Sequence, residues 1–183
     1  MQLQNYYYWF KDAIPHHVCD DIVRYGKQLQ DQIAVTGGYS GKKLNKKEVQ
    51  DLKKKRDSDI VWLNERWIYN AIHPYIHAAN RDANWNFQWD FSESCQFTKY
   101  KKGQYYDWHC DSWDRPYHKP EEPNSHGKQR KLSVTLSLSE DKDYSGGELE
   151  FDMRNQDPDK KANTHILKEI RSKGSLVVFP SDV

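Results

Sequence analysis

The sequence has few cysteines, no long apolar stretch and almost no net charge. Its 183 residues include only Cys19, Cys95 and Cys110, without Cys-x-x-Cys spacing, which is unlike the regular even set of a secreted disulfide scaffold. No apolar run approaches the roughly 20 residues that a membrane-spanning helix needs. The first residues carry neither a basic region nor an apolar segment. We therefore expect a cytoplasmic protein with no membrane partner and no secretory leader.

Charge and composition indicate what kind of domain the chain forms. The formal net charge is +1, so bulk electrostatics point to no partner. The length suits one domain, over residues 1–183, with a core of its own. Aromatic residues make up 14% of the chain, including seven Trp and twelve Tyr. So much ring area favours a β-rich domain whose core is lined by aromatic side chains.

Apolar spacing predicts two helices followed by many short strands. The first helix opens at Ile14-Pro15 and continues to Leu29, and the second covers Glu65–Ala79. The run Trp85–Phe91 alternates strictly and is the clearest strand pattern in the chain. This order favours an α+β, mainly β, sandwich or barrel with helices on one side. The other predicted strands are Tyr6–Phe10, Asp57–Leu63, Ser94–Tyr100, Tyr105–Asp111, Leu132–Leu138, Glu148–Phe151, Thr164–Ile170 and Ser175–Phe179.

A basic run covers Lys42–Arg56, with eight basic and two acidic residues after the glycine-rich segment Thr36–Gly41. Such a run is typical of a solvated loop or a short helix. Two functional interpretations are a lid over an active site and an anion-attracting patch. The run lacks the interleaved aromatic residues on which single-stranded nucleic acid stacks.

The stretch Thr98–Asp111 carries the chemistry. It reads as two extended runs around a turn at Gly103 and ends in His109-Cys110-Asp111. On a strand, side chains at i and i+2 leave the same face, about 6–7 Å apart at the backbone. An imidazole and a carboxylate in that arrangement, joined by a second His, form the facial triad of non-haem Fe(II) oxygenases. The alternative is a surface His and Asp that bind nothing.

Three blocks in order extend this pattern. The first is Tyr100-x-x-Gly103-x-x-Tyr106-x-x-His109-x-Asp111. The second runs from Arg130-Lys-Leu-Ser-Val-Thr-Leu-Ser-Leu-Ser to Gly146-Gly147-Glu148-Leu149, and the third is Lys173-Gly174-Ser-Leu-Val-Val-Phe179-Pro180-Ser181. Together they resemble the 2-oxoglutarate- and Fe(II)-dependent dioxygenases of the prolyl 4-hydroxylase type, also called PKHD-type hydroxylases. The resemblance implies a double-stranded β-helix, or jelly roll, with supporting N-terminal helices.

The resemblance also implies roles for four residues. His109 and Asp111 match the first two iron ligands, and Tyr100 matches the tyrosine that binds the distal carboxylate of 2-oxoglutarate. Tyr106 matches a substrate-binding residue near the peptide groove. The implied cofactors are Fe(II), 2-oxoglutarate and O2, with ascorbate as a reductant. The implied partner is a protein or peptide substrate carrying the prolyl residue.

The sequence departs from the family pattern after Phe179-Pro180-Ser181. There the family has a second iron-binding His, and about ten residues later a Lys or Arg that pairs with 2-oxoglutarate. Neither lies before Val183. One explanation is a chain that lacks its C-terminal strand. In that case we expect a His within about five residues beyond Val183 and an Arg or Lys about ten further on. The other explanation is a degenerate relative that binds no iron.

Two rival functions remain open. A 2-oxoglutarate dioxygenase that acts on nucleic acid bases would use the same chemistry, and the basic run Lys42–Arg56 is compatible with it. A non-catalytic jelly-roll binding module with a vestigial His-x-Asp pair belongs to a different class. Oligomeric state is not indicated by any pattern in the sequence.

Overall fold

The computed structural model describes residues 6–29, 32–33, 45–154 and 159–183. In these ranges no helix has the length and apolar character needed to cross a membrane. No disulfide joins the three cysteines, all of which are described. The elements in chain order are β1 (Tyr8–Phe10), α1 (His16–Gln28), β2 (Gln32–Ile33), α2 (Lys46–Lys53), β3 (Arg56–Asp57), β4 (Asp59–Leu63), α3 (Arg66–Asp82), β5 (Cys95–Lys99), β6 (Tyr105–Tyr106), β7 (Leu132–Leu136), a 3₁₀ turn (Asp141–Asp143), β8 (Glu150–Asp152), β9 (Thr164–Ile166) and β10 (Leu176–Pro180).

The chain forms two compact units. The first contains the described residues of Met1–Ile22, Arg66–Ser92 and Cys110–Val183. Its main sheet is antiparallel, in the order β1-β10-β7, with a separate β8-β9 hairpin. All five residues of β10 are buried, as expected for a central strand. Burying each large apolar side chain contributes about 1.5–3 kcal/mol, so β10 is the main anchor of this unit.

Aromatic rings fill the core of the first unit. Tyr7 stacks on Phe151 with ring centroids 5.5 Å apart, and Phe151 meets Phe179 edge-on at 4.9 Å. Offset and edge-on pairs of this kind are the favoured aromatic geometries. The buried cluster consists of Tyr7, Phe151, Met153, Leu167, Ile170, Val177 and Phe179.

Helix α3 covers this sheet through one apolar stripe, and it contacts β1 and β10. The buried positions recur every three or four residues, as one face of an α-helix requires. Tyr75 adds a hydrogen bond from its hydroxyl to the Ala13 carbonyl at 2.6 Å. The buried stripe consists of Ile68, Ile72, Ile76 and Ala79.

The second unit contains the described residues of Val23–Glu65 and Glu93–His109. It has an antiparallel sheet in the order β2-β4-β5 and a two-stranded ladder of β3 and β6. The end of α1 packs closely on β5, because a Cβ at Gly26 would lie 2.6 Å from the Phe97 ring. Only glycine allows this approach.

Part of the basic run forms α2, so the predicted short helix is confirmed over Lys46–Lys53. Asn45 caps it: the Asn45 side chain accepts from the backbone N–H of Glu48, and the Glu48 side chain accepts from the backbone N–H of Asn45. Residues 42–44 and the glycine-rich segment 36–41 lie outside the described residues.

The predicted strand at Trp85–Phe91 is wrong. The segment is irregular, and Asn84 and Asn86 have φ values of 64° and 55°, which a strand does not contain. Asn80 explains the difference, since its side chain bonds both the N–H and the carbonyl of Phe87, at 3.0 and 2.8 Å. These local bonds take the place of a sheet ladder.

Candidate functional site

His109 is the last residue of the second unit, and Asp111 belongs to the first. The prediction that both belong to one strand is wrong, because β6 ends at Tyr106. The reason is local bonding at Asp107. Its side chain accepts a hydrogen bond from the Trp108 N–H at 2.8 Å, and its carbonyl accepts from His109. These groups are then not available to extend the ladder.

The segment before His109 is nevertheless fixed to a strand. The Asp107 N–H donates to the Lys55 carbonyl at 2.8 Å, which continues the pairing of β6 with β3. The Asp107 carbonyl then accepts from His109 Nδ1 at 2.7 Å. A carbonyl oxygen can only accept, so Nδ1 of His109 carries a proton, and in the neutral imidazole the lone pair is then on Nε2. Metal-ligating histidines are held in their tautomer by such a bond.

The two tyrosines of the first block lie in the second unit. Tyr106 packs flat against His109, with ring centroids 3.6 Å apart and planes at 15°. Tyr100 follows β5 and is 51% exposed, which excludes a core-packing role for its ring. Its predicted role as a cosubstrate ligand stays a prediction.

In the first unit, Arg130 holds the backbone of Asp111. Arg130 Nη1 donates to the Asp111 carbonyl at 2.7 Å, and Arg130 Nη2 donates to the Tyr117 hydroxyl at 3.1 Å. The next residue, Ser112, donates its N–H to the Ser181 carbonyl at 2.8 Å. Sequence reasoning identified Arg130 only as the start of a strand block. A contact to a backbone carbonyl 19 residues away leaves no signal in spacing or periodicity.

Neither of two cavities found in the first unit is lined by Tyr100, Tyr106, His109 or Asp111. One beside Ser112 and Arg130 has a volume of about 70 Å³, room for about two waters and far below the few hundred Å³ of a typical ligand pocket. An open groove of about 450 Å³ follows β9 and is lined by none of the predicted site residues. His165 lies in that groove and bonds the Tyr7 hydroxyl through Nε2 at 3.0 Å.

The residues fit part of an iron site. Among the described residues, no group of three or more His, Cys, Asp or Glu side chains could hold a metal ion. The facial triad needs two histidines and one carboxylate. The predicted ligands His109 and Asp111 would supply one histidine and the carboxylate.

Comparisons with known proteins agree with the predicted family. The family model of the 2OG-Fe(II) oxygenase superfamily matches residues 95–183. A PKHD-type hydroxylase of Pseudoalteromonas atlantica is 34% identical over 89 residues, which is 48% of this chain and 33% of the relative. The chain thus spans about a third of the length of that curated relative.

Two solved structures share the fold. A prolyl-4-hydroxylase of Pseudomonas putida has a TM-score of 0.64 at 18% identity, covering 98% of this chain and 83% of that one. The viral collagen prolyl hydroxylase of Paramecium bursaria Chlorella virus-1, solved with 2-oxoglutarate, has a TM-score of 0.58 at 19% identity, covering 96% and 77%. The predicted resemblance to 2-oxoglutarate/Fe(II) oxygenases of the prolyl 4-hydroxylase type is confirmed, and the mainly β fold with few helices is consistent with a jelly-roll oxygenase.

Proposed function

We propose that this chain belongs to an Fe(II)- and 2-oxoglutarate-dependent dioxygenase that hydroxylates a C–H bond, with a prolyl residue of a protein or peptide as the substrate. The supporting observation is His109, which lies inside the segment matched by the oxygenase superfamily. Its Nδ1–H is bonded to the Asp107 carbonyl, which directs the lone pair to Nε2. A double-stranded β-helix is the proposed arrangement of the strands.

Four residues of the first block have roles in this proposal. His109 Nε2 and the Asp111 carboxylate hold Fe(II), and the Tyr100 hydroxyl donates to the distal carboxylate of 2-oxoglutarate. Tyr106 lines the substrate groove. Fe(II) bound there would, with 2-oxoglutarate and O2, supply the oxidation of C–H to C–OH, and 2-oxoglutarate would be converted to succinate and carbon dioxide. Ascorbate serves as a reductant.

Two lysines at the end of the basic run are paired with carboxylates, which supports a protein substrate more than a nucleic acid. Lys53 Nζ lies 3.2 Å from the Asp57 carboxylate, and Lys54 Nζ lies 2.8 Å from that of Asp51. Partnered lysines contribute less to the phosphate neutralisation on which nucleic-acid affinity depends. A nucleic-acid-directed enzyme is the second candidate function, and a non-catalytic binding module is the third.

The test measures succinate formed by the full-length protein with Fe(II), 2-oxoglutarate and ascorbate. Proline-containing peptides should raise succinate formation and gain the mass of one oxygen atom at proline. The same peptides with Pro replaced by Ala are the matched control and should do neither. Stimulation by oligonucleotides instead of peptides would replace the prolyl proposal with the nucleic-acid one. Absence of succinate under every condition would favour the binding module.

A further inference from the structure

A buried arginine lies against the tyrosine that packs on His109. Arg56 of β3 is directly opposite Tyr106 of β6 in the ladder. The Arg56 guanidinium carbon lies 4.3 Å from the centroid of the Tyr106 ring, within the range of a cation–π contact. Tyr106 in turn packs against the His109 ring. We call these three residues the Arg56 stack.

The arginine in this stack is held in place. Arg56 is 6% exposed, and its Nε donates to Ser58 Oγ at 3.0 Å. Its Nη2 donates to Gln96 Oε1. Both partners are neutral oxygens, although a buried charge is usually paired with an opposite charge because burial is costly. The face of the Tyr106 ring supplies negative electrostatic potential to the buried cation.

The residue that precedes β3 is linked to the edge of the imidazole through Asp107. Lys55, next to Arg56, accepts the Asp107 N–H through its carbonyl, and the Asp107 carbonyl accepts from His109 Nδ1. His109 is therefore fixed at two points, on its face by the Tyr106 ring and on its edge by the Asp107 carbonyl. Both points depend on adjacent residues, Arg56 through the Tyr106 ring and Lys55 through Asp107. A ring held on face and edge has little rotational freedom about its own side-chain bonds.

We propose that Arg56 and Tyr106 are positioning residues that orient the His109 imidazole for metal binding through Nε2. The inference rests on the proposed function, in which His109 is an iron ligand. Arg56 acts on His109 through the Tyr106 ring. The ring, rather than the hydroxyl, of Tyr106 performs this role, so phenylalanine should replace it.

The experiment compares four variants of the full-length protein. Arg56→Met removes the cation, Tyr106→Leu removes the ring, and Tyr106→Phe keeps the ring. Arg81→Met is the matched control, since the Arg81 side chain is 73% exposed and pairs with Asp82 on the surface. Two quantities are measured: the affinity for Co(II) in place of Fe(II), and the tautomer of His109 in the metal-free protein by ¹⁵N NMR of the imidazole.

We expect Arg56→Met and Tyr106→Leu to weaken Co(II) binding by about 10–100-fold, the usual cost of losing a partner that orients a metal ligand. Both should also reduce the Nδ1–H population of His109. Tyr106→Phe and Arg81→Met should match the unmodified protein in both measurements. If circular dichroism shows that Arg56→Met does not fold, the test of the positioning role depends on Tyr106→Leu alone.

Two outcomes separate this inference from the proposed function. If folded Tyr106→Leu keeps both the Co(II) affinity and the His109 tautomer, the positioning role is overturned while the iron site stands. If the unmodified protein binds no Co(II) but Tyr106→Leu changes the His109 tautomer, the positioning of the ring is supported and the proposed function fails.

Discussion

Replacing Arg130 with Met should loosen the segment that carries Asp111. The substitution removes the donors to the Asp111 carbonyl and to the Tyr117 hydroxyl. It also removes the guanidinium 5.2 Å from the Trp113 ring centroid. A hydrogen bond from a charged donor contributes about 1.5 kcal/mol at the low end of its range, and a second hydrogen bond contributes about 1 kcal/mol. An exposed cation–π contact contributes about 0.5 kcal/mol. We expect a loss of about 3 kcal/mol in the free energy of unfolding.

Thermal unfolding followed by circular dichroism measures this loss. For a chain of this size, about 3 kcal/mol corresponds to a Tm lowered by about 6–12 °C. The Tm of Arg130→Lys should lie between those of Arg130→Met and the unmodified protein, because lysine keeps the charge but not the planar guanidinium that reaches two acceptors. Co(II) affinity should fall along with stability, because Asp111 is a proposed ligand.

Arg115→Met is the matched control, since Arg115 is an exposed arginine a few residues from Asp111. Exposed substitutions of this kind usually stay within about 0.5 kcal/mol. If Arg130→Met and Arg115→Met have equal Tm values and equal Co(II) affinities, the anchoring role assigned to Arg130 is wrong.

Two further predictions concern backbone approach and protonation. Gly174→Ala should lower the free energy of unfolding, measured in urea, by about 2 kcal/mol more than Gly147→Ala does. Both glycines have positive φ, but of the two only Gly174 has a backbone atom where a Cβ would lie. That Cβ would be 2.2 Å from the Ile14 carbonyl oxygen. Equal losses would contradict this. Burial first, and then the neighbouring His77, lowers the pKa of His73. The unfolded chain therefore binds a proton more readily than the folded protein, so stability should be complete above the ordinary histidine pKa of about 6.5 and fall below it. His73→Gln should flatten this fall between pH 7 and 5; an unchanged slope would point to another group.

Elements with a regular apolar pattern were predictable from sequence. Helix α1 begins one residue after Pro15, as expected for a helix opened by proline. The helix predicted over Glu65–Ala79 appears as α3, which continues through Pro74. Strands β4, β5, β7 and β10 lie inside their predicted ranges or within one residue of them. In each case side-chain burial and backbone pairing favour the same structure.

The failures at Trp85–Phe91 and Tyr105–Asp111 have one physical cause, which is side-chain and carbonyl bonding that competes with the sheet ladder. The predicted strand Thr164–Ile170 was also too long, since β9 ends at Ile166. At Trp85–Phe91 the alternation correctly separated half-buried rings from exposed residues up to Trp89, but Asn80 took the backbone bonds. At Asp107 a similar competition ended β6 before His109. Periodicity reports which face is buried and carries no information on such bonds.

The sequence suggested candidate site residues, which stay a prediction, and it did not suggest the residues that hold them in place. The His109-x-Asp111 spacing and the Tyr100 lead-in could be quoted from the sequence. Arg56 could not be assigned to the site, because it stood at the end of a basic run whose charge suggests solvent exposure. Its burial follows from the pairing of two strands of two residues each, too short to recognise by pattern.

The central claim is that His109 and Asp111 bind the same metal ion. The most direct measurement is anaerobic Co(II) titration of the full-length protein and of His109→Ala, Asp111→Ala and the double variant, with binding followed by visible absorption. The account predicts one Co(II) per chain in the unmodified protein, a large loss of affinity in each single variant, and little further loss in the double variant, because either change destroys the same site. Single variants that bind Co(II) as tightly as the unmodified protein, or losses that simply add, would contradict it.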